Sequence, residues 1–447
     1  MAIHDVAENR CLELVAALNA HRSTVPSAQD FCVKTPEMTR NELEVKVGNL
    51  REDQHIFSPL PFYVTKRQAL LMSETIRAIE FVISLPEYQE LVSSWAPGVT
   101  KYAPGPIGVF FSYDFHLGQG IPKLIEINTN AGGCLLSLAG PSFPTLHQHG
   151  SAHLEAGEEP ATIKNRIWNM FLEEWRRQRG EMPLRTIAIV DTAPESQFLF
   201  SEFQLFAELF RSYGVTSFIV DPTELDFIGG KLLSNGREID LVYNRLTDFY
   251  LGSPQNLMLR SAFIEGSVVL TPNPRHHALY ADKRNLCALS DEATLLSLKV
   301  PERIIEILHA SIPKTFLVKH NNSTDLWKRR NGFFFKPVMG YGSKGVYRGS
   351  KITRRVWENI INEEYIAQDY VLPSLRSVDD EIGILKVDFR NYTYYGDILH
   401  VIARMYQGQT TNFRTKSGGF AKVIMVDGDT NHDAFGNKGI HAKLNLF

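Results

Sequence analysis

The spacing of apolar residues predicts a chain in which long helices alternate with short strands. Apolar residues recur three and four positions apart over residues 5–22 and 65–85, which predicts two amphipathic helices, the second of them stopped by Pro86. We expect both of these helices to be structural. The same spacing over residues 160–179 predicts a third helix.

Residues 183–275 carry a different pattern, in which short apolar runs alternate with a helical segment. The strand-like runs are 186–190, 216–220 and 241–243. A helical pattern over 196–213 lies between the first two runs and ends at Gly214, a residue type suited to the C-terminus of a helix. This β-α-β order predicts a small parallel α/β domain.

Polar residues follow the last of these strands, at the edge where ligands of open α/β sheets collect. They are Asn244, Arg245 and Asp248. An ordinary arginine–aspartate pair in a loop would give the same pattern, so the sequence leaves both interpretations open.

The stretch 331–348 carries candidate chemistry between two predicted strands. Three phenylalanines precede Lys336, and a glycine-rich turn follows it. That turn contains Gly340, Gly342, Ser343 and Gly345. Glycines let backbone N–H groups approach phosphate oxygens, and a lysine adds positive charge. The stretch therefore predicts a nucleotide-binding hairpin, although an ordinary glycine-rich hairpin with a surface lysine would look similar.

The common nucleotide-binding fingerprints fit this stretch poorly. The glycine spacing matches the dinucleotide fingerprint, but that fingerprint needs a helix directly after the glycines, and residues 346–347 predict a strand. The Walker spacing is absent, and the lysine of a protein kinase follows its glycine loop. A lysine ahead of a glycine hairpin is thus a different arrangement.

A predicted strand pair, 109–115 and 121–128, is the second informative stretch. Glu126 and Asn128 are two residues apart and so project from one face of the second strand, while Asp114 lies on the first. Carboxylate and amide oxygens on a rigid sheet suit Mg²⁺. The alternative is the solvated face of a hairpin.

Predicted strands nearer the C-terminus add further polar groups. The strand 364–371 holds a glutamine and acidic residues, and such a strand can offer backbone N–H and C=O groups to the edge of an adenine ring. Two later strands carry Arg390 and Arg404, and Asn412 follows them. Arginine suits bidentate recognition of phosphate or carboxylate, although a solvated sheet face would carry similar charges.

Composition narrows the class of protein. The 447 residues allow roughly two to four domains, and 44% apolar and 22% charged residues are typical of a globular protein. A net charge of −3 gives no basic field for nucleic acid. The four cysteines form no metal-ligand pair, so we expect them to be reduced. Without a signal peptide or an apolar run of about 18 residues, we expect a cytoplasmic protein with no membrane partner.

These ordered motifs together resemble the ATP-grasp superfamily. The residues around 113–128 are similar to the branch that contains glutathionylspermidine synthase and related carboxylate–amine ligases. In the usual family order the metal motif follows the other motifs, whereas here it precedes them, which resembles circularly permuted members. The resemblance implies an α/β (α+β) fold: a circularly permuted ATP-grasp with a small parallel α/β pre-grasp domain.

The resemblance also implies a division of the chain into four parts. Residues 1–150 would hold the permuted metal-binding part, and 151–182 a helical connector. The pre-grasp domain would cover 183–275, and the ATP-binding subdomains 276–447.

Site residues follow from the same resemblance, which implies that ATP and one or two Mg²⁺ ions bind. The implied nucleotide-binding residues are Lys283, Lys336, Gly340, Gly342, Ser343, Gly345, Gln368, Asp369, Tyr370 and Val371. The implied metal ligands are Asp114, Glu126 and Asn128. The implied catalytic residues are Arg390, Arg404 and Asn412.

The implied activity is an ADP-forming ligation of a small-molecule acid to an amine through an acyl-phosphate. One alternative is an ATP-grasp phosphotransferase that acts on a small molecule. A second is a nucleotide-binding protein without chemistry. Family relatives are often oligomeric, so a homo-oligomer is also compatible with the sequence.

Overall fold

A computed structural model describes most of the chain. The described residues are 3–21, 56–118, 120–140, 146–149, 152–155, 157–340, 342, 344–379, 381–412 and 415–427. These residues form helices and strands in several runs of like elements, among them a run of strands over residues 365–427 near the C-terminus.

Most of the α-helices are short. Their bounds are Ile3–Ala20, Lys66–Ser84, Pro86–Ser93, Cys134–Ser137, Pro160–Arg179, Phe200–Ser212, Leu257–Ile264, Pro274–His276, Arg284–Leu289, Glu292–Ser297, Glu302–Ser311, Ser323–Arg329 and Arg354–Asn362. The three long helices predicted from the sequence are present. Pro86 follows the second of them and also opens a helix of its own, because proline is tolerated where a helix begins.

The strands are numbered here in chain order. They are β1 Phe62–Thr65, β2 Phe111–His116, β3 Lys123–Asn128, β4 Leu146–His149, β5 Ala152–Glu155, β6 Thr186–Val190, β7 Thr216–Val220, β8 Leu225–Ile228, β9 Lys231–Ser234, β10 Arg237–Glu238, β11 Leu241–Asn244, β12 Val269–Thr271, β13 Thr315–Leu317, β14 Phe333–Pro337, β15 Tyr347–Arg348, β16 Tyr365–Asp369, β17 Ser374–Ser377, β18 Ile384–Tyr394, β19 Asp397–Tyr406 and β20 Gly419–Asp427.

The largest sheet has nine strands and forms one wall of the candidate site. Its order is β3-β2-β18-β19-β20-β5-β4, with β1 beside β20 and β17 beside β18. The helix Lys66–Ser84 packs its buried side chains, among them Ile76 and Ile79, into the same core as Val387 and Phe389 of β18. Arg390 of β18 and Asp114 of β2 lie on this sheet.

A hairpin near the start of the chain completes this sheet. Strands β2 and β3 pair with each other, and β2 pairs with β18, so that Glu126, Asp114 and Arg390 lie side by side on three neighbouring strands. A permuted motif order requires such a pairing between distant parts of the chain. The permutation itself stays a prediction.

A separate parallel sheet confirms the small α/β unit predicted from the apolar runs. Its order is β12-β11-β6-β7, and all of its neighbouring strands are parallel. The helices Pro160–Arg179 and Phe200–Ser212 share a buried cluster with this sheet. The antiparallel strands β8, β9 and β10 were not predicted, because runs of two to four residues are too short to show a periodic pattern.

A small antiparallel sheet forms the opposite wall of the candidate site. Its order is β13-β16-β14-β15. Alternate residues of β14 serve its two faces: Phe333 and Phe335 are buried in a local cluster with Trp357, whereas Phe334 and Lys336 are only partly buried. The predicted strand, glycine loop and strand are therefore confirmed as a hairpin, with Phe334 opposite Arg348.

Two sequence-based expectations concern the chain as a whole. The four-part division into 1–150, 151–182, 183–275 and 276–447 stays a prediction. Within the described ranges, no helix combines the length and the apolar character that crossing a membrane needs.

Candidate functional site

A cleft lies between the nine-stranded sheet and the small antiparallel sheet. It contains a cavity of about 200 Å³ whose lining comes from both walls. The lining residues include His116, Phe334, Arg348, Lys351, Tyr370 and Tyr406. Most of the residues predicted to bind nucleotide or metal lie on the strands and loops that border this cleft.

The large-sheet wall carries a closed network of charges centred on Asp114. This carboxylate is fully buried and accepts hydrogen bonds from Arg390 Nε at 2.8 Å and Arg390 Nη2 at 2.6 Å. It also accepts from Arg404 Nη2 at 2.8 Å, and Arg404 Nε donates to Asp388 at 2.6 Å. Two carboxylates thus hold two guanidinium groups in fixed positions.

The network sets the protonation of its central carboxylate. Burial alone would raise the pKa of Asp114, but Arg390 and Arg404 outweigh it and lower that pKa to about 2. Asp114 is therefore ionised throughout the neutral range. Its charge neutralises the arginines before any ligand enters.

The other two predicted metal ligands, Glu126 and Asn128, form fewer hydrogen bonds with the described residues than Asp114 does. Glu126 is partly exposed, and its carboxylate lies 3.7 Å from Lys283 Nζ. The Asn128 amide donates to Asp114 Oδ2 at 3.2 Å, which leaves the Asn128 carbonyl oxygen for another ligand. Glu126 and Asn128 thus lie on one face of β3, and Glu126 lies beside the cation Lys283.

These residues fit a magnesium ion only in part. Mg²⁺ prefers carboxylate and amide oxygens and keeps several water or phosphate ligands, so Glu126 and Asn128 suit it. Asp114 suits it less, because both of its oxygens accept from guanidinium groups. Among the described residues, no group of three His, Cys, Asp or Glu side chains is placed to hold a metal ion.

The two predicted phosphate lysines have different hydrogen-bond partners. Lys283 is buried and its Nζ donates to the Gly340 carbonyl at 2.7 Å. Lys336 Nζ donates to the Ile125 carbonyl at 2.7 Å and to Gln368 Oε1 at 2.8 Å. Burial lowers the pKa of Lys336 to about 8, an effect that Glu126 opposes and Lys283 increases. Lys336 is thus a desolvated cation without a bonded carboxylate, which suits an anionic ligand.

The glycine loop needs its glycines at two described positions. A side chain at Gly340 would place Cβ 2.5 Å from Pro337 Cγ, and Gly345 has a φ of +68° with the Tyr365 hydroxyl 2.9 Å from its Cβ position. Gly342 lies between them with a φ of +59°. Ser343 lies outside the described residues, so its predicted role stays a prediction.

The return strand of this hairpin reaches across the cleft. Gln409, in the loop after β19, donates from Nε2 to the Val346 carbonyl at 3.3 Å. This hydrogen bond joins the hairpin to the large-sheet wall.

In the predicted adenine hinge, several backbone N–H and C=O groups already form hydrogen bonds within the protein. The N–H of Asp369 donates to the Lys314 carbonyl at 2.9 Å, and the N–H of Tyr370 donates to the Gly332 carbonyl at 2.7 Å. The Val371 carbonyl accepts from His116 Nδ1 at 3.1 Å. Side chains must therefore supply part of any base recognition at this hinge.

His116 is a site residue that sequence reasoning missed. It follows Asp114 by two positions on β2, so it lies on the same side of the sheet, and it lines the cavity. Burial lowers the pKa of His116. The two-residue spacing from Asp114 was the available signal, since the partner Val371 is 255 positions away in the chain.

The remaining predicted residues have local partners. The Asn412 amide donates to the Gln407 carbonyl at 2.7 Å and its oxygen accepts from Thr415, contacts that shape the loop after β19. A role for Asn412 on substrate stays a prediction.

The polar residues at the end of β11 do not form a pair. Arg245 is buried and donates to the Ala131 carbonyl at 3.3 Å and to the Tyr243 hydroxyl at 3.1 Å. Asp248 instead accepts from Ser253 N and Asn256 Nδ2, both at 2.7 Å. The interpretation as an arginine–aspartate loop pair is therefore wrong, and the two side chains hold different loops.

Sequence comparison gives no relative: no protein-family model and no curated protein matches this chain. Solved structures do match. A glutathione synthetase-like effector from Globodera pallida, in the apo form, is 11% identical and aligns over 82% of this chain and 89% of its own with a TM-score of 0.51.

Two further structures match less closely. A candidate gamma-glutamylcysteine synthetase from Methylobacillus flagellatus is 10% identical, with 81% of this chain and 89% of its own covered and a TM-score of 0.48. The ATP-grasp ligase PsnB, in complex with a precursor peptide and AMPPNP, is 11% identical, with 55% and 90% covered and a TM-score of 0.28.

These identities are so low that the likeness concerns the fold alone. The chain has an ATP-grasp-type fold, in which two antiparallel sheets enclose a cleft and a parallel α/β unit lies beside them. The α/β fold class predicted from the ordered motifs is thereby confirmed, and its circular permutation stays a prediction.

Proposed function

We propose that this protein is an ATP-dependent, ADP-forming ligase that joins a small-molecule carboxylate to an amine through an acyl-phosphate. The observation that carries the proposal is the meeting of two sets of charges across one cleft. Lys283 and Lys336 border the glycine loop on one side. Arg390 and Arg404, held by Asp114, lie on the other.

The lysines would bind the phosphates of ATP. Lys336 donates to two neutral oxygens, and phosphate oxygens can replace the Ile125 carbonyl and the Gln368 side chain as its acceptors. Lys283 would do the same on release from the Gly340 carbonyl. The glycine loop would then cover the phosphates with its backbone N–H groups.

Magnesium would be held mainly by Glu126 and Asn128, with phosphate oxygens and water as the remaining ligands. When bound, it would neutralise charge on the phosphates. Asp114 would act through the arginines that it orients, because its oxygens already accept from them.

Arg390 and Arg404 would stabilise the charge that shifts during phosphoryl transfer. An oxygen of the acid attacks the γ-phosphorus of ATP and ADP leaves, which gives the acyl-phosphate. The amine then attacks the acyl carbon, phosphate leaves, and the nitrogen loses a proton. Catalysis of this type depends on positioning and fixed charges, and the two guanidinium groups are fixed by their carboxylates.

The test is release of ADP and phosphate by the purified chain with Mg-ATP, pooled small acids and amines, with and without hydroxylamine. An acyl-phosphate reacts with hydroxylamine to give a hydroxamate. Hydroxamate that depends on one acid supports the ligase and identifies that acid. Omission of single amines from the pool then identifies the second substrate.

The alternatives give different results in the same assay. ADP release stimulated by an alcohol, without hydroxamate, would replace the ligase by a phosphotransferase. ATP binding without turnover on any pool would leave a nucleotide-binding protein without chemistry. No ATP binding at all would overturn the assignment of the cleft.

A further inference from the structure

We propose that a basic face beside the small antiparallel sheet binds an acidic segment of a partner polypeptide. The basic face consists of Arg330, Lys351, Arg354 and Arg355, which come from the segments before and after the glycine hairpin. This inference goes beyond the proposed function, because it concerns a macromolecular partner rather than a nucleotide or a small substrate.

The charge of the chain is unevenly distributed. Residues 319–355 contain ten lysines and arginines and a single acidic residue, Asp325, which gives this stretch a net charge of +9. The whole chain carries −3, so the residues outside the stretch together carry −12. A local excess of this size creates a positive potential over one part of an otherwise negative molecule.

Acidic side chains of the protein do not neutralise this excess. The one ion pair that the described residues form within 319–355 joins Arg329 to Asp325 at 3.1 Å. Three members of the basic face, Lys351, Arg354 and Arg355, are exposed to solvent. Their charges can therefore meet an anionic partner without first leaving an internal one.

Trp327 fixes two of the arginines close together. The guanidinium carbon of Arg330 lies 4.1 Å from the centroid of the indole ring, and that of Arg354 lies 5.1 Å from it. The two carbons are thus at most about 9 Å apart, the sum of these distances. The turn Gly349–Lys351 packs so closely on Arg330 that a side chain at Gly349 would collide with the Arg330 carbonyl. The basic face is therefore arranged before a partner binds, which lowers the entropic cost of binding.

Two of these charges also oppose a local rule of helix stability. The N-terminus of a helix carries a partial positive charge, so basic residues there are unfavourable. Arg354 and Arg355 open the helix Arg354–Asn362, whose first turn contains no acidic residue. Residues that break such a rule without a compensating internal contact point to a role in function.

An extended acidic peptide matches the spacing of the arginines. Side chains two residues apart on an extended chain lie on one side, about 7 Å apart, which is compatible with two guanidinium groups at most about 9 Å apart. Guanidinium groups suit bidentate contacts with carboxylates. A short peptide can also lie on the basic face away from the acidic remainder, because charge effects fade over about 8–10 Å at physiological salt.

Two other anionic partners suit the basic face less well. A long nucleic acid would extend onto a molecule whose other residues carry −12. Trp327 already contacts two guanidinium groups and packs on Trp357 at 5.5 Å, which leaves little of its ring for a base. Membrane binding usually adds exposed apolar side chains, and in the described stretches 319–333 and 349–362 no large apolar side chain is exposed.

The test is binding of labelled probes to the full chain, measured by fluorescence anisotropy without nucleotide. The probes are a hexaglutamate peptide, the matching hexaglutamine peptide and a decauridine RNA. Flotation with vesicles of phosphatidylcholine and phosphatidylserine covers the membrane. We expect the glutamate peptide to bind at least about tenfold more tightly than the glutamine peptide or the RNA, and the vesicles not to retain the protein.

A matched pair of double variants locates the binding. Arg354→Gln with Arg355→Gln should raise the Kd for hexaglutamate about tenfold, because two charge pairs are lost. The urea midpoint of this variant should not fall, since the change removes two basic residues from the first turn of a helix. The control is Lys164→Gln with Arg211→Gln, which removes two positive charges from exposed positions of other helices. It should bind hexaglutamate as the unaltered chain does.

Each outcome decides one part of the inference. Absent binding of hexaglutamate, or equal binding of hexaglutamine, overturns the acidic partner. Tighter binding of the RNA or the vesicles replaces it by that class of partner. An equal loss in both double variants overturns the basic face as the place of binding. The comparison of probes on the unaltered chain does not depend on a variant being folded, and no result bears on the ligase proposal, because ATP is absent throughout.

Discussion

The two walls of the cleft hold their charges in different ways. On the large sheet, Asp114, Arg390, Arg404 and Asp388 neutralise one another through ion pairs of 2.6–2.8 Å. On the small sheet, Lys336 donates to one backbone carbonyl and one amide oxygen, both neutral groups. One wall is thus neutralised within itself, whereas the other has a partly buried cation whose hydrogen-bond partners among the described residues are neutral.

The difference assigns separate tasks to the walls. Buried ions that are paired on several sides are held in place by the fold, and removal of one partner exposes the others to a low dielectric without compensation. A partly buried cation whose bonded partners are neutral costs stability, because desolvation disfavours its charged form, but it attracts an anion strongly. We therefore expect substitutions in the large-sheet wall to disturb folding and chemistry together, and those in the small-sheet wall to disturb binding alone.

The largest effect is expected for Asp114→Asn. It leaves Arg390 and Arg404 buried beside a neutral amide, so we expect the free energy of unfolding to fall by about 3–5 kcal/mol, with turnover lost. Urea titration followed by circular dichroism measures the first quantity. Asp397→Asn is the control, since that side chain is 74% exposed and its nearest cation is 3.8 Å away. Equal stabilities of the two variants would contradict the structural role of the network.

Much of the scaffold of this network could be predicted from sequence, but its pairing could not. The sequence placed Asp114 and Glu126 on neighbouring strands and assigned Arg390 and Arg404 to two later strands. Contact between Asp114 and Arg390 joins residues 276 positions apart, and no local pattern encodes a partner at that distance. Asp114 consequently looked like a metal ligand, although it mainly holds arginines.

The lack of a local signal for distant contacts also explains the other differences between the sequence-based predictions and the structure. The strands β6 and β7 were predicted with their observed bounds, because four- to five-residue apolar runs between turn formers have few other solutions. Arg245 and Asp248 were placed correctly at the end of β11, but their partners Ala131 and Ser253 come from different loops. Local pattern thus fixes the elements, and tertiary contacts decide which polar groups meet.

Lys336→Met should separate binding from stability on the opposite wall. Loss of the buried ammonium removes the cation that phosphates would use, so we expect the affinity for ATP to fall about a hundredfold. The free energy of unfolding should not fall and should rise by about 1 kcal/mol, because the desolvation that lowers the pKa of the ammonium costs more than its two hydrogen bonds to neutral oxygens contribute. Calorimetry measures the affinity for ATP, and urea titration measures the free energy of unfolding. Lys319→Met, at an exposed position, controls for loss of charge.

The pH dependence of ATP binding tests whether the charged form of Lys336 binds the phosphates. With its pKa lowered to about 8, Lys336 is charged below that pH and loses its proton above it. Phosphate binds the charged form, so the Kd for ATP should rise above pH 8 by up to about tenfold per pH unit. Lys336→Arg should flatten this rise, because guanidinium stays protonated. A rise of the same size in that variant would assign it to another group.

The smallest effect is expected where the walls touch. Gln409→Ala removes the hydrogen bond from Nε2 to the Val346 carbonyl, which holds the return strand of the glycine hairpin against the large sheet. One exposed hydrogen bond is worth about 0.5–1 kcal/mol, so the hairpin should open two- to fivefold more often. Trypsin cleavage after Lys344, followed by mass spectrometry, should quicken by that factor in the variant. The matched control is Gln197→Ala, which removes an exposed side-chain bond to the Thr192 carbonyl far from the hairpin. An equal gain in cleavage for both variants would mean that the loop is held by other contacts, and that the cleft closes only through its ligand.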